Sequence, residues 1–158
     1  MTATAVAPDG VRASGALPAC SPATLLQRAA AHPDRIALRH KDLGIWREYS
    51  WRDYAQWVAR QARAFHALGV ARGDRVAILA DNRPEWVVGD MALQAIGAVV
   101  VGVYSTSPSA EVEYVLAHSE SVVCVVEDEE QLDKIVQVRD QLPALRHVVV
   151  MEPRGVRA

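Results

Sequence analysis

Three polar clusters in the chain could carry chemistry. Hydroxyls gather at Ser105-Thr106-Ser107-Pro108-Ser109, acids at Glu127-Asp128-Glu129-Glu130, and a mixed turn stands at Asp81-Asn82-Arg83. A phosphate cradle needs glycines after a strand, so that backbone N–H groups can close on the ligand. The turn after the apolar run Val76–Ala80 is Asp81-Asn82-Arg83-Pro84 and has no glycine. Ser105–Ser109 has neither glycine nor lysine, so it fits neither a Walker loop nor a phosphate nest, and it reads as a helix cap. Nucleophilic catalysis fares no better. There is no Gly-x-Ser-x-Gly elbow, and His32, His40, His66, His118 and His147 stand in no recognisable order with an acid and a nucleophile. His66 and His118 fall near predicted helix C-termini, where the dipole suits an imidazole. The acids from Glu127 to Glu130 read as a helix's first turn, not as a metal site or a pair across a cleft. Cys20 and Cys124 have no metal spacing and form no Cys-x-x-Cys. No residue is assigned as catalytic or as a metal ligand.

The elements that would position such groups centre on Gly73 to Ser107. Val76–Ala80 is a continuous apolar run of strand length, as in a strand covered on both faces. Pro84 and Glu85 suit a helix's first turn, where proline loses no hydrogen bond and an acid meets the dipole. Trp86, Met91, Leu93 and Ile96 then mark a mostly apolar helix closed by Gly97 at C′. Val99–Tyr104, rich in β-branched residues, predicts a second buried strand. So short a crossover makes the two strands parallel and right-handed.

This unit also carries a resemblance. Gly73-Asp-Arg-Val-Ala-Ile-Leu79, Asn82-Arg-Pro-Glu-Trp86, Gly97-Ala-Val-Val-Val101 and Tyr104-Ser-Thr106 with Pro108 are similar to the adenylate-forming acyl-CoA synthetases. Within the AMP-dependent synthetase and ligase family, the pattern looks most like the bacterial long-chain fatty acid–CoA ligases. It runs from about Pro22 to the end of the chain. The resemblance implies an enzyme that joins a fatty acid to ATP as an acyl-adenylate, releases pyrophosphate, and passes the acyl group to the thiol of CoA, with Mg²⁺ shielding the phosphates. It implies a lining role for Tyr104, Ser105 and Thr106 along the acyl and pantetheine passage. The family's phosphate loop ending in Pro-Lys-Gly, its adenylate-holding residues and its C-terminal lysine have no counterpart in these 158 residues. The chain therefore resembles the early part of the large N-terminal domain, truncated at its C-terminus. Alone it is expected to bind no cofactor and to be inactive. Two other readings stand beside this one: a non-catalytic interaction module, and the N-terminal part of an amino-acid adenylation domain. Asn82–Trp86 and Tyr104–Thr106 favour the fatty acyl branch over the latter.

Composition agrees with a globular domain. The chain is 51% hydrophobic and 23% charged, with a formal charge of −2, which points to no nucleic-acid partner. Fifteen of the seventeen basic residues are arginine, which we read as a trace of genomic base composition. Cys124 within Val122–Val126 is a small buried hydrophobe, and a reducing cytosol is expected. The N-terminus lacks an apolar core, with Asp9 and Arg12 interrupting it, so no signal peptide is predicted. No apolar run approaches the ~20 residues of a membrane span. A cytoplasmic location follows, with a peripheral place at the inner membrane for the full-length parent.

In chain order, Met1–Ala19 is expected to be a mobile tail, and residues 20–158 the domain. Ser21-Pro22 predicts a capped helix ending near His32-Pro33. Ile36–His40 and Ile45–Tyr49 predict a hairpin joined through Asp42 and Gly44, with Leu38, Ile45, Arg47 and Tyr49 facing inward. Ser50-Trp-Arg-Asp53 resembles a capping box before a helix striped by Tyr54, Val58, Phe65 and Leu68 and closed by Gly69. Ser107 should cap a further helix. Val122–Val126 predicts a third buried strand, and Leu132, Ile135, Val136 and Leu142 a helix face. Val148–Val150 predicts a fourth strand. The fold class is α/β: a partial doubly wound parallel sheet flanked by helices, preceded by a helix and a β-hairpin. One sheet edge should be left open for self-association.

Overall fold

The computed structural model describes residues 20–156; the tail expected over residues 1–19 lies outside the described residues. Helix α1 (Ser21–Ala31) has Pro22 in its first turn, but Cys20 holds the N-cap position and no side chain caps it. Strands β1 (Ile36–Asp42) and β2 (Ile45–Ser50) pair antiparallel, with Asp42 opposite Ile45. The connection is the two-residue turn Leu43-Gly44, both at positive φ (45° and 84°), the geometry whose twist matches a hairpin. Leu38 and Tyr49 are half-buried, and Tyr49 packs on Trp57 at 5.5 Å between ring centroids. The inward face expected for the whole hairpin stops there. Ile45 is 61% exposed and Arg47 is exposed too, because the burial is confined to the end where the hairpin joins the helices.

Helix α2 (Trp51–Ala67) begins with the predicted box: Asp53 N–H donates to Ser50 Oγ (3.1 Å), and Ser50 N–H donates to Asp53 Oδ2 (3.0 Å). Ser50 Oγ also donates to Asp53 Oδ2 at 2.6 Å, and this bond first, with the Ser50 backbone N–H second, holds the Asp53 carboxyl below its ordinary pKa. Tyr54, Val58 and Phe65 form its buried stripe.

The sheet follows. Strand β3 (Arg75–Leu79), helix α3 (Pro84–Ala95), β4 (Val99–Val103), α4 (Ser109–Ser119), β5 (Val123–Val126), α5 (Glu129–Val138), a 3₁₀ turn (Arg139–Gln141) and β6 (His147–Val150) alternate along the chain. All four strands are parallel, in the order β4-β3-β5-β6. Gly97 follows α3 at φ +79°, and a Cβ there would stand 3.0 Å from Arg72 Cγ, so glycine meets both the turn and the close approach.

Alternate residues of each central strand enter two separate cores. Val76, Ile78, Val123 and Val125 face α2 and α3, with Val88 and Leu93. Ala77, Leu79, Cys124 and Val126 face α4 and α5, with Leu116 and Ile135. Helices on both faces make this part of a doubly wound sheet.

Three further expectations change. Strand β4 is not buried: it is an edge, with Val99 49% exposed and only Val103 fully covered. No serine caps α4, since Pro108 holds the N-cap position and Ser107 is buried. On α5, Val136 is 64% exposed and Gln131 is buried in its stead, because the face turned to the sheet is set by Gln131, Ile135 and Val138.

Candidate functional site

The strand order fixes where a site can form. From β3 the chain steps outward to β4 by way of α3; from β4 it returns across β3 to β5 by way of α4 on the opposite face. The reversal therefore lies between β3 and β5. In open α/β sheets the crevice beyond the carboxyl ends of such strands is the usual ligand position.

Arg83 ties this edge together. Its side chain is 20% exposed and meets three carboxylates: Nε donates to Glu85 Oε2 (2.8 Å), Nη1 to Glu127 Oε1 (3.0 Å), and Nη1 lies 3.5 Å from Glu152 Oε2. Burial pulls the guanidinium pKa down, but bonds and charge from Glu85 and Glu127 outweigh it and leave it above its ordinary value. The other oxygen of Glu127 accepts from Asp81 N–H at 2.7 Å. One acid thus joins the loops after β3 and β5, and Arg83 extends the link to the residues after β6.

Tyr104, Ser105 and Thr106 leave β4 beside this crevice but do not share one cavity. Tyr104, 80% exposed, borders an apolar slot of about 240 Å³ with Trp86, Asn82 and Gly102. Ser105 and Thr106 border a polar crevice of about 410 Å³ with Asp81, Glu127, Gln131 and Lys134. Ser105 Oγ donates to Asp81 Oδ1, and Lys134 Nζ donates to Ser105 O at 2.6 Å. The first turn of α5 faces this crevice. Asp128 caps the helix, its Oδ1 accepting from Gln131 N–H at 3.1 Å.

The α5 N-terminus is taken up by its own acids, Asp128, Glu129 and Glu130, which disfavour a nucleotide phosphate at that helix end. Among the described residues no three His, Cys, Asp or Glu side chains come together to hold a metal ion. His66 lies in the last turn of α2, and His118 stacks on Tyr114 at 5.6 Å in the last turn of α4. Cys124 is fully buried, its thiol pushed up to about 12 by burial, while Cys20 is exposed. The sequence placed Arg83 in a polar turn without showing its role, and it did not single out Lys134 or Gln131. Arg83 meets Glu127 across 44 residues and Lys134 meets Ser105 across 29, where local spacing carries no signal.

Comparison with known proteins completes the description. Residues 25–157 match the family described as AMP-binding enzyme. The long-chain-fatty-acid–CoA ligase FadD15 of Mycobacterium bovis is 33% identical over 126 residues, which are 80% of this chain and 21% of that protein. The long-chain-fatty-acid–CoA ligase ACSBG2 of Xenopus laevis is 35% identical over 116 residues, 73% of this chain and 16% of that protein. Among solved structures, a Mycobacterium tuberculosis fatty acyl CoA synthetase superposes with a TM-score of 0.75 at 25% identity, covering 82% of this chain and 26% of that one. The chain spans about a fifth of the length of the curated relatives it matches. A match over most of the sequence, carried by the same parallel sheet, places the chain in the AMP-binding enzyme family.

Proposed function

We propose that the chain is the leading part of a long-chain fatty acid–CoA ligase. The whole enzyme would take a fatty acid, ATP and CoA to acyl-CoA, AMP and pyrophosphate through an acyl-adenylate. The observation that carries this reading is the 33% identity with a long-chain-fatty-acid–CoA ligase across four-fifths of the chain. The chain's own residues supply the sheet and a lining. Tyr104 would stand on the apolar side of the acyl and pantetheine passage, with Trp86 beside it, and Ser105 and Thr106 on the polar side. Mg²⁺ finds no set of ligands among the described residues, and nucleotide phosphates find no glycine-rich cradle, so no step runs through either group here.

No described helix is long and apolar enough to cross a membrane. A cytoplasmic enzyme resting at the inner membrane, where its substrate partitions, is the location this function favours.

An ATP–pyrophosphate exchange assay with palmitate tests the reading. The 158-residue chain should give no exchange above a blank. The longer protein that contains it should give palmitate-dependent exchange and form palmitoyl-CoA. Exchange by the short chain, or none with any fatty acid by the longer one, would overturn it.

A further inference from the structure

The β1–β2 hairpin ends in a tip that the rest of the described protein leaves bare. Every residue from Lys41 to Glu48 is exposed, and Leu43 in the turn is 94% exposed. Leu43 also sits at φ 45°, a left-handed backbone that such turns usually give to asparagine, aspartate or glycine. Leucine is thus unfavourable here twice, in its backbone and in its exposure. Ile45 and Trp46 follow, the indole 62% exposed. As strand neighbours they point to opposite faces of the ribbon, so the tip is apolar at its end and on both sides. Single exposed apolar residues are ordinary, but Leu43, Ile45 and Trp46 gather at one protruding end.

Geometry and charge say what covers this tip. A protein neighbour packed on one face of the ribbon would leave the other in water, whereas a bilayer surrounds whatever enters it. Behind the apolar end comes a basic tier. Lys41 stands directly across from Trp46, its Nζ 5.9 Å from the ring centroid. The hairpin's ion pairs, Arg39 with Glu48 and Arg47 with Asp42, leave Lys41 out. An indole with a cation beside it suits the headgroup level of a membrane, between the apolar and the wet layers. From Arg39 to Glu48, Arg39, Lys41 and Arg47 outnumber Asp42 and Glu48, which favours an anionic surface. The outer N–H and C=O groups of the ribbon still need water, which confines the tip to the interface and keeps it out of the hydrocarbon. Position adds a further argument. Leu38, Arg39 and His40 border a cleft of about 240 Å³ with Asn82, Arg83, Pro84 and Val87. The hairpin therefore stands beside the loop after β3, at the crevice end of the sheet. We propose that this tip docks the protein on an anionic lipid bilayer, with Leu43, Ile45 and Trp46 at headgroup depth and Lys41 against the lipid phosphates. The use of the docking, delivery of a membrane-borne fatty acid to the nearby crevice, rests on the ligase reading; the docking itself stands on the chemistry of the tip.

The test uses the longer protein that contains this chain, sedimented with vesicles of phosphatidylcholine and phosphatidylglycerol. Saturable binding is expected, and weaker binding to phosphatidylcholine alone. Leu43→Asn combined with Trp46→Thr should weaken binding by roughly 10-fold or more, as the loss of inserted apolar area does. Asparagine suits the positive φ and threonine suits a strand, so the double variant should unfold at no lower a midpoint than the parent. Lys41→Gln should weaken binding to the anionic vesicles by about 5-fold, and by less as salt rises. Unchanged binding by the double variant, or no binding to anionic vesicles, would overturn the proposal. So would a lower midpoint in the double variant, which would mean that the rest of the longer protein packs on the tip. A lower mass in light scattering would overturn it too, by assigning the tip to a second copy. ATP–pyrophosphate exchange with palmitate carried on albumin, without vesicles, separates the two readings, and the double variant should keep the parent's rate. Exchange lost only in the double variant would overturn the docking, since the tip would then serve the chemistry. Exchange absent from both proteins, with the difference in vesicle binding intact, would overturn the ligase reading and support the docking.

Discussion

Strands β4 and β5 are written in nearly the same letters, Val-Val-Val-Gly-Val and Val-Cys-Val-Val, yet one is half in solvent and the other sealed. Every residue of β5 is buried, while β4 keeps only Val103 fully covered. Composition cannot separate them. What separates them is the order of connections: β5 is inserted beside β3, with β6 beyond it, whereas β4 stands at the outer edge. A run of β-branched residues announces a strand, and the topology of the whole sheet decides how deep it lies.

The sharpest way to break this comparison is to place the same charge in each strand. Cys124→Asp puts a carboxylate among Ala77, Leu116 and Ile135 with no partner. It should cost about 4 kcal/mol or more, enough to unfold many domains of this size. Val99→Asp, on the exposed edge, should cost less than about 1 kcal/mol. Denaturant midpoints of the two variants decide, and similar losses would mean that the strands are equally buried. A thiol reagent gives an independent check in native buffer. Cys20 should react quickly and Cys124 hardly at all, because burial both blocks it and keeps it protonated.

The next effect belongs to the carboxyl ends of the strands. Arg83→Met leaves Glu85, Glu127 and Glu152 facing one another without their cation. The sites are partly exposed, so the loss should be about 2 kcal/mol, below the range of a fully buried pair. A companion Glu127→Gln should recover part of it, and a double-mutant cycle measures how much. Strict additivity would mean that Arg83 and Glu127 do not act together.

These contrasts mark how far the sequence could be read. Features built from neighbours in the chain were legible: the Ser50–Asp53 box, the turn at Gly44, Gly97 after α3, and the β3 and β5 runs all stand where expected. The family was legible too, because several spaced pieces matched in order. What could not be read depends on distant partners. Ser107 was expected to cap α4, but the chain enters that helix through Pro108, and Ser107 is buried. Ser105 instead reaches Asp81, 24 residues away. Gln131 stands in an acidic first turn with nothing local to mark its burial, and only the packing of α5 on the sheet turns it inward.

A local device should keep its usual worth whatever its place in the fold, which sharpens the same contrast. Ser50→Ala removes the hydroxyl that caps α2 and should cost about 1 kcal/mol. Asp53, the other half of the box, is held below its ordinary pKa by Ser50, so its contribution is present above that ordinary value and lost as pH falls through the folded one. The cost of Ser50→Ala should therefore shrink in acid. A cost that is constant from neutral to acid pH would mean that the two side chains are not coupled.

The smallest change in stability, with the clearest change in behaviour, is expected at the far edge. On the face shared with α2, β5 and β6 leave an apolar groove of about 440 Å³ bordered by Trp57, Phe65, Leu68, Val125, Val149 and Met151. Beyond it, the outer side of β6 pairs with no other described strand. An open edge next to an apolar face favours association. Expressed as 158 residues, the chain should oligomerise, bind a hydrophobic dye and melt broadly, where a closed domain of this size would melt as one unit. Val149 is only half-buried, so Val149→Thr should shift the unfolding midpoint by less than about 1 kcal/mol while lowering dye binding and the weight-average mass in light scattering. The longer protein should bind no dye. A sharply melting, dye-negative monomer would contradict this, because it would make these strands a sheet that needs nothing further, and it would favour the interaction-module reading over a part of a ligase.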